Sequence, residues 1–259
     1  MTNVKGKKIS IIMPAYNEED RIAHGLDETV RTLDTFECDY QIIVVDDGSA
    51  DRTTERIKEF IDKNDSGRLI FKRNRSNYGK GRALKQGFRH AKGDYVIFLD
   101  SDMDLHPGQI STFFDIMELT ESDVVIGSKR HPNSQLFYPK ERRIMSAVYF
   151  FMIKLLFGLP INDTQTGLKL FKSYVLKDVF KMFISREFAF DLELLVNAHL
   201  LGYKIEEAPV VLNSQREYSR IGYKTVVKMC LDTLAIYMRY VRSRAKRRLK
   251  KIVRRRKIT

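Results

Sequence analysis

Asp100, Asp102 and Asp104 stand at alternate positions in LDSDMD, directly after the apolar run YVIF. In extended backbone, residues two apart face the same way. The spacing therefore predicts three carboxylates on one side of a strand end. A cation relieves their repulsion, and an all-oxygen donor set suits a hard divalent ion such as Mg2+ or Mn2+. A calcium loop of the EF-hand kind asks for Gly at its sixth position and Glu at its twelfth; Leu105 and Ser111 stand there. A solvated acidic turn ahead of the helix after Pro107 accounts for the same residues, and on spacing alone the two readings stand level. A second acidic group, DDGSAD, closes the apolar run YQIIVV. Asp51 reads as a helix N-cap and Gly48 as a tight turn. Neither role needs Asp46 or Asp47, whose carboxylates can accept hydrogen bonds from a base N–H or a ribose hydroxyl. NYGKG, with Lys80, is a phosphate-loop candidate that lacks the Walker pattern. No G-x-G-x-x-G follows the first strand, which argues against a dinucleotide fold.

These loops need a frame. Apolar runs at 8–13, 40–45, 68–72 and 94–99 read as strands. Between them Ile22, Leu26, Thr29 and Leu33 share one helical face, Ile57, Phe60 and Ile61 mark a second helix, and a short third helix reaches Ala91. The alternation predicts an α/β fold, a mostly parallel central sheet with helices on both faces. Ligands of such sheets bind at the carboxyl ends of the strands, where PAYNEE, DDGS, NYGKG and DSDMD all fall. Further strands are expected at 123–128, 167–172 and 204–212, and helices at 141–158 and 187–201. A last helix carries an amphipathic stripe of Val227, Leu231, Leu234, Met238 and Val241.

Hydrophobic residues make up 43% of the 259 and charged residues 31%, so the chain can build a core and is not disordered throughout. The net charge is +13, and the stretch Arg239–Lys257 holds twelve Lys/Arg and no acid. Without that stretch the balance is +1, so a neutral domain carries a basic extension. The extension would suffice for non-specific nucleic-acid affinity. Tyr240 is its sole aromatic, however, and a nucleic-acid reader has no use for carboxylates stacked at strand ends; no nucleic-acid partner is expected. An anionic membrane surface fits better, because Leu249, Ile252 and Val253 recur at helical spacing and give a basic helix a thin apolar edge. A solvated tail is the plain alternative. The run Tyr149, Phe150, Phe151 with Leu155, Leu156 and Phe157 reads as core before lipid contact. His24, His106 and His131 show no ligand spacing.

The two cysteines, Cys38 and Cys230, make no disulfide scaffold and no multi-cysteine zinc module; a reducing, cytoplasmic setting is expected. No apolar signal core opens the chain. The longest apolar stretch, 147–161, is broken by Lys154 and Pro160, short of a spanning helix. The expected location is the cytoplasmic face of a membrane, held peripherally.

PAYNEE, VVDDGSADRT, NYGKGRAL, FLDSDMDLHP, VIGSKR, DTQTGLKLF and FAFDLELL occur in an order that resembles family 2 glycosyltransferases of the GT-A type, and among them the polyprenyl-phosphate (dolichyl-phosphate) mannose or glucose synthases. The resemblance spans about residues 8–225, which implies a transferase domain over 1–225 and a C-terminal helix with basic tail over 226–259. It implies that Pro14, Tyr16, Glu18, Val45 and Asp47 hold the nucleoside of a nucleotide-sugar. Asp100 and Asp102 would be the DxD pair with Ser101 between them on the donor, Lys80 would serve the donor too, and Asp102 and Asp104 would hold Mg2+ or Mn2+. Members often carry Gln where this chain has Asp104, and Arg where it has Lys129. Lys129, Arg142, Arg143 and Ser146 match acceptor-phosphate positions, and Arg216 and Arg220 a basic segment over the donor diphosphate.

The implied reaction is inverting transfer of a hexose from a GDP-mannose or UDP-glucose type donor to a polyprenyl monophosphate. Such an acceptor oxygen is already anionic and needs no general base. A sugar hydroxyl on a glycolipid or polysaccharide is the alternative acceptor; it needs a base, for which Asp191 and Asp163 are the candidates. Asp191 also reads as a helix-start carboxylate favoured by the dipole.

Overall fold

The computed structural model describes residues 3–64, 67–135, 150–182, 189–212 and 231–242. The apolar runs form strands β1 (Lys8–Ala15), β2 (Asp39–Asp46), β3 (Leu69–Arg73), β4 (Tyr95–Phe98), β5 (Val124–Ser128), β6 (Lys169–Lys172) and β7 (Ile205–Pro209). Helices α1 (Ile22–Thr35), α2 (Thr53–Lys63), α3 (Lys80–Phe88) and α4 (Ile110–Thr120) follow the first four strands. Residues 150–157 are helical (α5). Then come α6 (Ser173–Met182), α7 (Phe190–Leu201) and the helical residues 231–242 (α8). The strands make one sheet in the order β3-β2-β1-β4-β6-β5-β7. β1 pairs in parallel with β2 and β4, β2 with β3, and β5 with β7, while β6 runs antiparallel between β4 and β5. The mostly parallel α/β sheet expected from the alternation is present.

Alternation along each strand divides the core into two layers. Ile9, Ile11, Met13, Ile42, Val44 and Ile97 face Leu26 of α1, Ile57 of α2 and Phe113 of α4. Ile12, Ile43, Val45, Phe98 and Ile126 face Leu84 of α3, Phe157 of α5, Val179 of α6, Leu195 of α7 and Ile236 of α8. Each such side chain, fully buried, contributes roughly 1.5–3 kcal/mol. The layers hold the strand ends rigid, and the strand ends carry the polar loops.

α8 packs by an unexpected face. Thr233, Ile236 and Tyr240 are buried, while the stripe residues Leu231, Leu234, Met238 and Val241 are exposed. Phe157 meets Tyr237 and Tyr240 with ring centroids 5.8 and 5.6 Å apart. An amphipathic stripe ordinarily turns inward; here the aromatic residues between its members hold the core contact. α5 divides likewise, with Ile153 and Phe157 buried and Phe151 and Leu155 exposed. The aromatic run is therefore core on one side only. Val227, and parts of the helices expected over 141–158 and 187–201, lie outside the described residues.

Candidate active site

A cavity of about 590 Å³ opens at the carboxyl ends of β1, β2 and β4. Pro14, Tyr16 and Glu18 line it from the loop after β1, and Asp47 from the loop after β2. Asn77, Gly79 and Lys80 enter ahead of α3, and Asp100, Ser101 and Asp102 after β4. Gln165 and Asp191 close the far wall.

The first two loops are laced together. Asn17, at φ 53°, donates its amide to Ser49 Oγ at 3.0 Å and accepts from the Ala50 amide at 2.9 Å. The Glu18 amide donates to Thr53 Oγ1 at 2.8 Å. Asp51 accepts from the Thr53 amide at 3.0 Å but stands one residue before the N-cap position expected of it, which Arg52 occupies with no side-chain cap. Asp46 is fully buried and accepts from the Ser49 amide and the Thr54 hydroxyl. Asp47 is 3% exposed and accepts from Asn74 Nδ2 at 2.5 Å and from the amides of Gly79 at 2.7 Å and Tyr78 at 3.2 Å. Its carboxylate thus builds the NYGKG loop from beneath. Gly48 has φ +75°, and a Cβ there would stand 2.5 Å from the Ser76 carbonyl carbon, so only glycine lets the two loops meet.

The DSDMD segment is not extended. Met103 turns the chain at φ 60°, and the Asp104 amide donates back to Asp102 Oδ1 at 3.2 Å. Asp100 is taken by Lys80, whose ammonium lies 2.6 and 2.8 Å from its two oxygens. The expectation of three carboxylates on one side is corrected: a left-handed residue breaks the alternation, and a lysine neutralises the first acid. Among the described residues no group of three or more His, Cys, Asp or Glu is disposed to hold a metal ion. Asp104 does not line the cavity. Ser101 donates its hydroxyl to the Pro14 carbonyl at 3.0 Å, tying the loop after β4 to the end of β1.

Asp191 enters from the first turn of α7, and Lys169 Nζ lies 2.6 Å from its Oδ1. Burial pushes the Asp191 carboxyl up, but the charges of Lys169, Lys80 and Lys129 outweigh it and hold the group below the usual carboxylate range. Lys80 is raised: desolvation lowers it, and Asp100 and Asp191 more than compensate. Asp163, the other base candidate, accepts from the Lys129 amide, the Gln165 amide and Thr166 Oγ1, each at 3.0 Å. It organises its own loop and does not line the cavity.

Eight of the residues assigned to the donor from sequence therefore share this cavity: Pro14, Tyr16, Glu18, Asp47, Lys80, Asp100, Ser101 and Asp102. Val45 does not, because its side chain packs into the core beside Gly87. Arg142, Arg143, Ser146, Arg216 and Arg220 lie outside the described residues. Asn77, Gln165 and Lys169 were not singled out from sequence. The first two sit in NYGKG and DTQTG, and Lys169 is hidden because a lysine in a strand pattern reads as a solvent-facing position.

The profile of Glycosyl transferase family 2 matches residues 10–180. A dolichyl-phosphate beta-glucosyltransferase of Trichomonas vaginalis is 33% identical over 238 residues, covering 88% of this chain and 72% of that one. A dolichyl-phosphate beta-glucosyltransferase of Dictyostelium discoideum is 29% identical over 244 residues, covering 90% and 75%. Among solved structures, glucosyl-3-phosphoglycerate synthase from Mycobacterium tuberculosis in complex with Mn2+, UDP and phosphoglyceric acid superposes with a TM-score of 0.67 at 20% identity, over 91% of this chain and 78% of that one. A mannosyltransferase from Pyrobaculum calidifontis in complex with GDP-Man and Mn2+ gives a TM-score of 0.59 at 16% identity, over 94% and 74%.

Proposed function

We propose that this chain, which belongs to glycosyl transferase family 2, transfers a hexose with inversion from a nucleoside-diphosphate sugar to a polyprenyl monophosphate of the dolichyl type. The observation that carries the choice of acceptor is the Lys169–Asp191 pair. A hydroxyl acceptor needs a general base, and the carboxylate best placed for that work is ion-paired at 2.6 Å and held low. Asp163 is likewise engaged by three donors. A lipid phosphate brings its own anionic oxygen and asks only for positioning. The dolichyl-phosphate glucosyltransferase relatives support the same acceptor and favour glucose over mannose.

In this reading the nucleoside lies along Pro14, Tyr16, Glu18 and Asp47. Asp100 and Lys80 sit where the diphosphate would pass, and Lys80 supplies positive charge as the bond from C1 to the leaving diphosphate breaks. The acceptor oxygen attacks C1 from the opposite face. Asp102 and Asp104 would hold a divalent ion, Mg2+ or Mn2+, since their carboxylates are the hard oxygen donors such a cation takes; the ion would help neutralise the leaving diphosphate. The Mn2+ complexes of the fold relatives support this. Lys129, with Arg142, Arg143 and Ser146, would grip the acceptor phosphate, and Arg216 and Arg220 would cover the donor.

In this reading a lipid acceptor would be met at an anionic membrane surface, with the enzyme bound peripherally on the cytoplasmic face. No helix among the described residues is long and apolar enough to cross a membrane. The outward apolar residues of α5 and of α8, and the basic sequence that follows α8, support such attachment.

The test offers UDP-glucose and GDP-mannose, each radiolabelled, with dolichyl phosphate and Mn2+ or Mg2+. Label should move into the organic phase from one donor. Efficient glycosylation of soluble sugars, with polyprenyl phosphate ignored, would overturn the reading in favour of a hydroxyl acceptor.

A further inference from the structure

Lys169 opens β6, and its register partners are Phe98 on β4 and Ile126 on β5. Paired residues of neighbouring strands point to the same face of a sheet. Both partners belong to the core layer under α3 and α7. Phe98 stands in ring contact there with Phe171, at 5.0 Å, and with Phe190, at 6.3 Å. Lys169 therefore occupies a core position, and it is 1% exposed. With Asp191 also made apolar, leucine or methionine would serve the fold there at least as well, since a buried ion pair is no better for stability than packed apolar groups of the same volume.

What the lysine touches explains its place. Its ammonium donates to Asp191 Oδ1 at 2.6 Å and to the Thr166 carbonyl at 2.5 Å. Asp191 reaches the cavity wall and Lys169 does not. Thr166 precedes Gly167, where a Cβ would stand 2.4 Å from Asp100 Oδ2, so the turn that Lys169 holds is packed directly on Asp100. On the other side, Gly81 lets α3 meet α7, because a Cβ there would lie 2.3 Å from the Phe190 ring. That close approach brings Lys80 beside Asp191, and Lys80 also grips both oxygens of Asp100. The result is a line of alternating charge, Lys169, Asp191, Lys80, Asp100, running from the core to the cavity floor.

We propose that Lys169 is a positioning residue: from beneath the cavity it fixes the Asp191 carboxylate, and Asp191 together with Asp100 sets Lys80 where the donor diphosphate binds. The inference rests on the donor reading above. Lys169 acts only through its partner, so the substitutions should not add. Asp191→Asn and Lys169→Met should each weaken binding of a nucleoside diphosphate with Mn2+, and lower kcat/KM, by about 10- to 100-fold. The double variant should be no worse than Asp191→Asn alone.

A second readout separates positioning from plain structure. In Lys169→Met, Asp191 keeps Lys80 and Lys129 nearby but loses its contact partner in a buried setting, so its proton is held more tightly. The acid limb of kcat/KM should move up by about one pH unit or more in Lys169→Met and be missing from the double variant.

Calorimetric titration with uridine and guanosine diphosphates gives the binding values, and initial rates across pH give the limb. Losses that add in the double variant, an unshifted limb, or unchanged nucleotide affinity in Lys169→Met would each overturn the proposal. Should a single variant not fold, the double variant, neutral at both positions, decides: folded by circular dichroism and impaired supports the role, folded and fully active overturns it. A wild-type protein that binds neither nucleotide sinks the donor reading instead, which the same titration reveals separately.

Discussion

Arg239 Nη2 lies 3.2 Å from Glu193 Oε1, and Glu193 is 3% exposed. The first basic residue of the C-terminal run is thus a core partner of α7. Tyr240 beside it is buried against Phe157. The packed unit therefore includes α8.

This relationship yields a pair of truncations. A chain ending at Arg242 should unfold within about 2 °C of the full chain, given that one kcal/mol moves Tm by about 2–4 °C at this size. A chain ending at Met238 loses Arg239, with its contact to Glu193, and the buried Tyr240 ring packed on Phe157, at a cost of about 3–5 kcal/mol. Its midpoint should fall by roughly 6–20 °C. Differential scanning fluorimetry decides, and equal midpoints for the two would mean that α8 is not part of the core.

The outward face of α8 gives the second prediction. Leu234 and Met238 are exposed, so Leu234→Glu/Met238→Glu should change stability by no more than about 0.5 kcal/mol per site. The same double variant should pellet much less with anionic liposomes, because two carboxylates meet a negative surface and two apolar contacts are lost. The chain ending at Arg242 should also pellet less, most visibly at low salt. Undiminished pelleting of both proteins would remove the membrane from the account.

Much of this was legible in the sequence, for physical reasons. Strands buried on both faces are continuous apolar runs, so β1, β2 and β4 stood out, and polar loops at their ends had to mark the site. The divided core was not legible on α8, where residues on both sides of the helix are apolar and periodicity cannot say which side turns inward. Nor was the bend at Met103, since a non-glycine residue at φ 60° leaves no mark in composition. Lys169 was hidden by the same rule that found the strands: a lysine among apolar neighbours is read as pointing to water, and only the position of Asp191 on a distant helix reveals that it does not.

Asp123 supplies a pH test away from the cavity. Burial raises its carboxyl, but the Tyr174 hydroxyl at 2.5 Å, the Lys204 amide at 3.0 Å and the Lys172 ammonium at 3.3 Å outweigh burial and hold it below the usual range. A carboxyl lowered on folding adds stability that is complete above its unfolded value, about pH 4, and fades as pH falls through the folded one. Asp123→Asn should therefore cost about 1–3 kcal/mol at pH 7, and the difference from wild type should shrink steadily below pH 4. Urea unfolding across that range measures it; a difference that is constant with pH would mean the carboxylate's charge contributes nothing.

The two proposed metal ligands are predicted to differ in weight. Asp102 lines the cavity, while Asp104 stands behind the turn at Met103 and donates its amide to Asp102 Oδ1 at 3.2 Å. Asp102→Asn removes the one of the two proposed ligands that lines the cavity and should lower kcat by about 10²-fold or more at any metal concentration, with the fold intact by circular dichroism. Asp104→Gln removes one negative charge and keeps an oxygen donor in place. It should retain substantial turnover at saturating metal, while the concentration of Mg2+ needed for half-activation rises, because fewer anionic ligands bind a hard cation more weakly. Metal titrations of initial rate for the two variants and the wild type, after removal of metal with EDTA, give the comparison. Full activity of Asp102→Asn in excess EDTA would dispose of the metal site, and loss of all activity in Asp104→Gln at saturating Mn2+ would reverse the order of importance argued from the turn.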